Sequence, residues 1–481
     1  MQVSRGLDGV GVTFDDERLV ANAGLIVPAT LAEHLGLREL IEQRVDLGDA
    51  PGRANVGHKA MTVIHAVLAG ADSIDDCEVL RAGATSAVLG HAVAAPSTVG
   101  TFLRSFSWPD ARQLDTVGAQ MLSRAWAAGG GPEATDAPMT IDVDSSVHET
   151  YGLRKEGATR FSYTKVRGYH PLYATLAETG EVLHARLRGG NSHTARGAVS
   201  FLAETFARVR AAGANGPIDL RADSGFYSKK VVDACKKAGV RFSITVKLYK
   251  GLLAAISKIP EESWTSIPYW LEDGADVAEI PWQAFGPGDK GVACRLVVRR
   301  VKPTPGSQLA LIATYSYHAF ITDREGTPVA LDAHHRRHAV VENAIRDLKY
   351  GVGLNHLPSG RFGANAAWLA LNAMAHNLSR WSARIGGIDT DDPGGGAADA
   401  ELTDTAETEP PGAGGDQDRP GRQTTRKSFV ATDTIRRRHL AVPGRLAGSA
   451  RKLTLHLPAR WPWAEAFVDM LDAIRAVKLL T

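Results

Sequence analysis

The sequence has few cysteines and no cysteine pair. Its 481 residues include Cys77, Cys235 and Cys294, which are far apart and form no Cys-x-x-Cys motif. A disulfide framework and a cysteine-ligated zinc site are therefore both disfavoured, and we expect a reducing compartment. The N-terminus lacks the apolar stretch of a secretory signal peptide, so the cytoplasm is the expected location.

The sequence also lacks a hydrophobic run suited to a membrane span. Residues 362–379 carry no Asp, Glu, Lys or Arg, but they include Asn365, Asn372, His376 and Asn377. A membrane span needs about 20 mostly apolar residues. Because the apolar side chains of this stretch recur at helical spacing, it is predicted to be a buried amphipathic helix.

An excess of charge of one sign is missing too, since the net charge is only +2. The charge is nevertheless segmented. Residues 385–418 contain ten acidic and no basic side chains, and they are rich in Gly, Pro and Thr, which predicts a disordered acidic linker. Residues 419–481 contain 13 basic and 4 acidic side chains. This basic C-terminal region, with its Arg run at 436–438, is a candidate for phosphate contact or simply a solvated face.

What is present is an ordinary globular composition, with 44% hydrophobic and 22% charged residues. Residues 1–135 show apolar side chains at helical spacing, which predicts a helical domain. The segment 95–104 resembles a short helix entered after a turn, as in a helix-turn-helix DNA-binding domain. Small helical domains are common, so a purely structural role stays open.

The pattern changes near Ala137 to alternating strands and helices. The order β-β-β-α-β-α-β predicts an α/β architecture in which helices pack on a mixed sheet. Residues 251–330 lose this rhythm and are predicted to be a β-rich insertion, and a helical pattern returns at 334–350. The predicted strands are 138–144, 172–179, 181–188, 217–223, 240–247, 292–301 and 309–323, and the predicted helices are 195–212 and 228–238.

Acidic residues stand at positions suited to metal-ion chemistry. Asp142 and Asp144 alternate on one predicted strand, so both face the same side. Asp223 ends another strand, where ligands usually bind in open α/β sheets. Glu342 lies in a helix among basic side chains. For any one acid a turn cap or a surface ion pair is the commoner explanation, but carboxylates from three elements are typical of a Mg²⁺ or Mn²⁺ site that activates water or a 3′-hydroxyl.

The residues around these acids resemble the DDE-class transposases of bacterial insertion sequences, specifically the insertion-sequence thirteen-eighty family. The resemblance extends over about residues 20–380. Six blocks carry it: Ile-Asp-Val-Asp-Ser-Ser at 141–146, Lys-Val-Arg-Gly-Tyr-His-Pro at 165–171, Leu-Arg-Ala-Asp-Ser-Gly-Phe at 220–226, His-Arg-Arg-His-Ala-Val-Val-Glu at 335–342, Gly-Leu-Asn-His-Leu-Pro-Ser at 353–359 and Ala-Asn-Ala-Ala-Trp at 364–368.

The resemblance implies an RNase H-like catalytic core with a β-rich insertion and a metal-binding triad. It implies that Asp144, Asp223 and Glu342 are the catalytic residues and hold two Mg²⁺ ions, with Mn²⁺ as a substitute; Asp142 stays open as an alternative to Asp144. It further implies double-stranded DNA as substrate, both terminal inverted repeats and target, and a homodimer or larger synaptic complex. The implied activity is cut-and-paste transposition by phosphodiester hydrolysis and strand transfer.

The related signature Tyr-x₂-Arg-x₃-Glu-x₆-Lys is only partly present. Glu342 and Lys349 fit, whereas His335 and His338 occupy the Tyr and Arg positions. Basic side chains near a metal-bound phosphate position the backbone rather than read bases. The side chains expected to contact DNA are Lys165, Arg167, His335, Arg336, Arg337, His338, Arg346 and Lys349.

Six segments and two alternative functions are predicted from these patterns. One alternative is a non-catalytic DNA-binding relative. The other is a metal hydrolase that uses His334, His338 and Glu342, which share a helix face but lack the His-Glu-x-x-His motif and leave Asp144 and Asp223 unexplained. The segments are a helical DNA-binding domain (1–135), the first part of the core (136–250), the insertion (251–330), the second part of the core with the Glu (331–384), the acidic linker (385–418) and the basic C-terminal region (419–481).

Overall fold

The structure is a computed structural model. It describes residues 7, 10–50, 52–152, 154–160, 165–192, 196–269, 274–302, 315–388, 430–449 and 452–478. The predicted acidic linker therefore lies outside the described residues from position 389 onward, as do residues 419–429 of the basic C-terminal region.

The N-terminal region is helical, as the sequence predicted. Its longest helix begins with a reciprocal cap, in which the Ser107 side chain accepts from the Asp110 backbone and the Asp110 carboxylate accepts from the Ser107 backbone. The helix predicted at 95–104 is confirmed. The elements are β1 (Leu19–Val20), α1 (Ile26–His34), α2 (Leu37–Arg44), α3 (Val56–Ala69), α4 (Thr85–Leu89), α5 (Pro96–Arg104) and α6 (Trp108–Ala127).

The next region alternates strands and helices, and the predicted core strands and both core helices are confirmed to within a few residues. A small sheet of order β3-β5-β4 follows the first long strand. The elements are β2 (Met139–Ser145), β3 (His148–Glu149), β4 (Thr159–Arg160), β5 (Arg167–Tyr169), β6 (Leu172–Leu176), β7 (Val182–Arg186), α7 (Ala198–Ala211), β8 (Ile218–Ala222), α8 (Lys229–Lys237), β9 (Val240–Val246) and α9 (Lys250–Ile256).

The insertion continues the core sheet instead of forming a separate one. It contributes β10 (Thr265–Ile267), β11 (Ala275–Ala284), β12 (Val292–Val301) and β13 (Ser316–Thr322). Because β13 pairs with β9, the described strands form one nine-stranded sheet of order β10-β11-β12-β13-β9-β8-β2-β6-β7. β8 is parallel to both β2 and β9, and all other neighbours are antiparallel.

The chain then forms α10 (Pro328–Arg336), α11 (Val340–Arg346) and α12 (Phe362–Ile385). A 3₁₀ turn at Arg337–Ala339 joins α10 to α11, and a π turn at Asp347–Gly351 follows α11. α12 is the predicted amphipathic helix. It is buried over most of its length between the N-terminal helices and β7. No helix in the described part of the chain is long and apolar enough to cross a membrane.

The described basic C-terminal region packs on the N-terminal helices. It contains α13 (Thr432–Ile435), a π turn at Arg436–Leu440, β14 (Gly444–Ser449), β15 (Lys452–His456) and α14 (Ala464–Ala476).

The contacts of this region remove Arg436 from the candidate phosphate contacts, whereas the side chain of Arg437 is 69% exposed. β14 pairs with β1, and α14 packs on α1 and α12. The Arg436 guanidinium is buried, with a side chain only 12% exposed, and it donates to the carbonyl oxygens of Val67, Leu68 and Gly351. Arg436 therefore closes the end of α3 and is not available to DNA.

Candidate active site

The central strands carry polar side chains on one face and apolar side chains on the other. The parallel registers place Asp142 beside Arg221, and Arg221 beside Ser243. Residues two apart on a strand share a face, so the next row toward the carboxyl ends consists of Asp144 on β2 and Asp223 just after β8. The apolar side chains of the other face, including those of Ile141 and Leu220, belong to the main hydrophobic core.

Local hydrogen bonds fix both acids at the sheet edge. The Ser145 backbone donates to Asp144 Oδ1 at 2.6 Å, and the Gly225 backbone donates to Asp223 Oδ1 at 3.0 Å. Asp223 thereby caps the short turn Ser224–Phe226. Both acids thus lie at the carboxyl ends of adjacent parallel strands, where ligands bind in sheets of this kind.

Burial and mutual repulsion make these acids costly to ionise. Burial raises the pKa of Asp144 to about 6, and the charges of Asp223 and Glu342 contribute to the rise. Burial likewise raises the pKa of Asp223, against hydrogen bonds from the protein backbone. Perturbed carboxyls of this kind cluster at functional sites.

Glu342 lies on the helical segment 328–346, which packs along β2. It approaches the same edge because four residues of a helix and two residues of a strand have nearly the same length. Four helical residues rise about 6 Å and two strand residues about 6.6 Å. His334 Nε2 lies 3.4 Å from Thr140 Oγ1, and His338 Nδ1 lies 2.8 Å from Asp142 Oδ1. The next step brings Glu342, which is exposed, within electrostatic range of Asp144.

Asp142 is bound very differently from Asp144. Its side chain is 1% exposed, and Arg221 donates to both of its oxygens, from Nε at 2.7 Å and from Nη2 at 2.6 Å. The third Arg221 nitrogen donates to the His334 carbonyl at 2.7 Å. With His338 also on Oδ1, the Asp142 carboxylate is fully engaged.

Two sets of three residues therefore lie one repeat apart along β2, along β8 and the residue after it, and along the helical segment 337–346. We define the acidic triad as Asp144, Asp223 and Glu342, and the paired triad as Asp142, Arg221 and His338. Each paired-triad residue precedes its acidic-triad counterpart by two residues on a strand or by four on the helix. The rows are therefore stacked toward the carboxyl edge of the sheet.

The donor set of the acidic triad fits a divalent cation. Among the described residues, no Lys or Arg forms an ion pair with Asp144, Asp223 or Glu342. Oxygen-only ligands with uncompensated charge suit Mg²⁺ or Mn²⁺. The ligand atoms of this triad do not all lie within 4.8 Å of one another, so the support for a metal site comes from the donor type and the strand positions of the acids and not from their closeness.

The tightest cluster of possible ligands lies elsewhere. Within the described residues it is formed by Asp115, His184 and Glu204, whose ligand atoms lie within 4.8 Å of one another. Arg112 pairs with Asp115 at 3.1 Å and with Glu204 at 2.9 Å, and Arg186 pairs with Glu204 at 2.6 Å. The guanidinium groups neutralise these acids, so the cluster is an ion-pair network and does not fit a metal.

The predicted histidine site is not assembled for a metal. His334, His338 and Glu342 do share a face, but His334 and His338 direct ring nitrogens to Thr140 and Asp142 on β2. Within the described residues these three side chains form no group whose ligand atoms all lie within 4.8 Å of one another. Their spacing reflects the pairing of helix and strand.

The side chains predicted to contact DNA fall into two groups. His335 and His338 face the sheet, and the two His335 ring nitrogens lie 2.7 Å from Ser243 Oγ and 2.9 Å from Thr245 Oγ1. Arg336 is paired with Asp332 at 2.8 Å. The exposed side chains are Lys165, Arg167 (partly), Arg337, Arg346 and Lys349 (partly).

Lys349 lies near the edge of the sheet that carries Asp144. Its Nζ donates to the carbonyl of Val147 at 3.1 Å, and Val147 lies just past the end of β2. Burial lowers the pKa of Lys349, against the charge of Asp144. The π turn that carries Lys349 therefore fastens the end of the helix beside the first acid.

Sequence reasoning missed the paired triad. Arg221 lies in Asp219-Leu-Arg-Ala-Asp223, where polar and apolar residues alternate. Such alternation usually marks a strand with one solvated face, yet Asp219 and Arg221 are both buried. The sequence does carry a signal for the Asp142–His338 contact, namely the match of two-residue spacing in Thr140, Asp142 and Asp144 with four-residue spacing at 334, 338 and 342.

Comparison with known proteins identifies the family and shows a likeness to a solved structure. A family model described as transposase DDE domain group 1 matches residues 5–386. No curated protein matches the chain. Among solved structures, the chain is similar to a piggyBac transposase synaptic complex with hairpin DNA, determined by cryo-EM, with a TM-score of 0.40, 11% identity and coverage of 77% of each chain.

Proposed function

The chain belongs to the transposase DDE domain group 1 family, and from this premise we propose that it catalyses cut-and-paste transposition of a bacterial insertion sequence of the thirteen-eighty family. The proposed catalytic residues are Asp144, Asp223 and Glu342. The observation that carries the proposal is that Asp144 and Asp223 end two adjacent parallel strands without an ion-pair partner among the described Lys and Arg residues, with Glu342 in electrostatic range of Asp144 and Asp142 fully paired beside them.

We propose that β7, β6, β2, β8 and β9 form an RNase H-like core. They are adjacent in this order, and β6 alone is antiparallel to the other four. The arrangement supports the proposal because it places the ends of β2 and β8 side by side. The β-rich insertion then extends this core through β13.

The proposed cofactor is Mg²⁺, with Mn²⁺ as a substitute, at two ions per site. When bound, such ions activate a water or a 3′-hydroxyl and stabilise the leaving oxygen of a phosphodiester. Asp144 and Asp223 would hold ions from the sheet, and Glu342 from the helix. Asp142 is not a proposed ligand, because Arg221 and His338 already occupy its oxygens.

The proposed substrate is double-stranded DNA, both the terminal inverted repeats and the target. Arg337 and Arg346 are exposed on either side of Glu342 along the helical segment, and Lys349 lies at its end. Cations there would hold the phosphate backbone beside the carboxylates, as would Lys165 and Arg167 from β5 and the loop before it. His335 and His338 are not proposed as DNA contacts, since both face the sheet.

We further propose that the N-terminal helices bind the terminal repeats and that a homodimer or larger complex joins the two element ends. The exposed face of α5 carries small polar and basic side chains and no acid, which suits contact with DNA. These side chains are Ser97, Thr98, Thr101 and Arg104. Action on the genome agrees with the cytoplasmic location expected from the sequence.

The test is Mg²⁺-dependent cleavage of labelled DNA that contains the inverted repeats flanking the gene. Wild type is compared with Asp223→Asn and with Asp233→Asn, an exposed acid on α8 paired with Lys229. We expect wild type and Asp233→Asn to cut at the repeat ends, and Asp223→Asn to bind the ends without cutting. Repeat binding without cleavage by wild type would instead support the non-catalytic relative.

A further inference from the structure

We propose that Arg221, Asp142 and His338 are positioning residues, which fasten the two strands and the helix directly below the acidic triad and so set where Glu342 stands relative to Asp144 and Asp223. The inference rests on the proposed function of the acidic triad. It goes further because it assigns a role to three residues that are absent from that triad.

The contacts join all three elements at one level. Arg221 on β8 holds Asp142 on β2 through two hydrogen bonds of 2.7 and 2.6 Å. It also holds the helix through the His334 carbonyl at 2.7 Å. His338 on the helix closes the set by its 2.8 Å contact with Asp142. Each element is therefore linked to both of the others.

The helix needs such a fastening because it is not a regular α-helix at this point. The 3₁₀ turn Arg337–Ala339 precedes α11, which has seven residues, and the π turn Asp347–Gly351 comes after it. Turns of these kinds change the helical phase of the residues beyond them. Glu342 lies between two attachments to the β2 segment, His338 before it and Lys349 after it.

The direction of the His338 side chain also favours a link through Asp142. The contact with Asp142 involves Nδ1, whereas Nε2 is buried and has no hydrogen-bond partner among the described residues. Although burial by itself lowers the pKa of His338, the hydrogen bond to Asp142 and the nearby carboxylates raise it overall. The ring is thus held to β2 on one side, and Glu342 follows one turn later.

Residues that hydrogen-bond metal ligands usually change metal affinity by about 10–100-fold when they are removed, and for residues one row away we expect the lower end of this range. The test compares His338→Leu, His338→Asn and His338→Gln. Asn places its amide donor near the Nδ1 position, so it can still bind Asp142, whereas Gln places its amide near the Nε2 position. His456→Leu, on exposed β15, is the control.

The first readout is hydrogen exchange of the backbone amides of residues 339–346, measured without metal. We expect His338→Leu to exchange about tenfold faster than wild type, and His338→Asn to restore protection. The second readout is the Mn²⁺ concentration for half-maximal cleavage. We expect it to rise about tenfold or more in His338→Leu and to return toward wild type in His338→Asn.

Two results would overturn the proposal. One is that His338→Leu shows the same hydrogen exchange at residues 339–346 and the same Mn²⁺ dependence of cleavage as wild type. The other is restoration by His338→Gln but not by His338→Asn, which would mean that Nε2 acts directly in the site. If wild type does not cleave the DNA at all, the proposed function fails, but the exchange measurement still decides whether the paired triad fastens the helix.

Discussion

The acidic triad and the paired triad occupy the same three elements, one repeat apart, yet they have opposite electrostatic designs. In the paired triad, an arginine and a histidine surround one buried carboxylate. In the acidic triad, the charges of Asp223 and Glu342 act on Asp144, and none of the three carboxylates has an ion-pair partner among the described Lys and Arg residues. Position on a strand face therefore does not decide the role of an acid; its neighbours on the adjacent elements do.

The difference has an energetic consequence. Asp142 is buried and paired, so removal of one partner would leave the other as an unpaired buried charge and destabilise the fold. Asp144 has the reverse effect, since burial and repulsion raise its pKa to about 6 and so disfavour the charged form. Strand β2 therefore carries one acid, Asp142, whose ion pair links strand and helix, and another, Asp144, whose ionised form destabilises the folded state.

The largest expected contrast is in catalysis. Asp144→Asn should reduce cleavage of repeat DNA by about 10³-fold or more, because a bound metal ion supplies several kcal/mol of stabilisation to the transition state. Asp142→Asn should retain measurable cleavage at a temperature where both variants are folded. Single-turnover cleavage rates check this pair. Equal loss in both variants would erase the distinction between the triads.

The next contrast is in stability. Arg221→Met should lower the free energy of unfolding by about 3–5 kcal/mol, since it leaves the Asp142 carboxylate buried without its cation. Lys229→Met breaks an exposed ion pair with Asp233, and it should lower the free energy of unfolding by less than about 1 kcal/mol. Urea unfolding of both variants measures the difference. Similar midpoints would show that the Arg221–Asp142 pair does not hold the sheet and helix together.

A smaller effect of opposite sign is expected for Asp144→Asn in EDTA. The folded-state pKa of Asp144 is raised from 3.8 to about 6, so the charged form destabilises the fold fully above pH 6 and not at all below about pH 3.8. The neutral amide of this variant removes that unfavourable charge, and the gain at pH 7.5 should be at most about 3 kcal/mol, since one pKa unit corresponds to about 1.4 kcal/mol. Unfolding midpoints at pH 7.5 and pH 4 check the sign. A destabilised variant at pH 7.5 would contradict the repulsion described for the acidic triad.

The smallest effect is expected one row below the paired triad. Thr140→Val removes the 3.4 Å contact with His334, which is long for a hydrogen bond, so the loss should be below about 1 kcal/mol. Cleavage should stay within about twofold of wild type. If Thr140→Val lowered the free energy of unfolding as much as Arg221→Met, the main link between strand and helix would be Thr140–His334 and not the paired triad.

Much of the acidic triad could be predicted from the sequence, because its acids stand at strand ends and in motif blocks. The strand β11 was missed, and it contains Pro281 and mixed polar residues that weaken a local strand pattern. The β1–β14 pairing was missed because it joins residues more than 400 positions apart, which no local periodicity can reveal. The role of Arg221 was missed because the alternation of polar and apolar residues in β8 does not show that both faces of the strand are buried.

The pairing of β1 with β14 and the packing of α14 on α1 and α12 also bear on how the protein is made. The surfaces that α14 covers emerge from the ribosome long before α14 itself. At translation rates of about 5–20 residues per second, more than 400 residues take roughly 20–80 s to synthesise. Throughout that interval the surface of α1 that α14 later covers is exposed on the nascent chain.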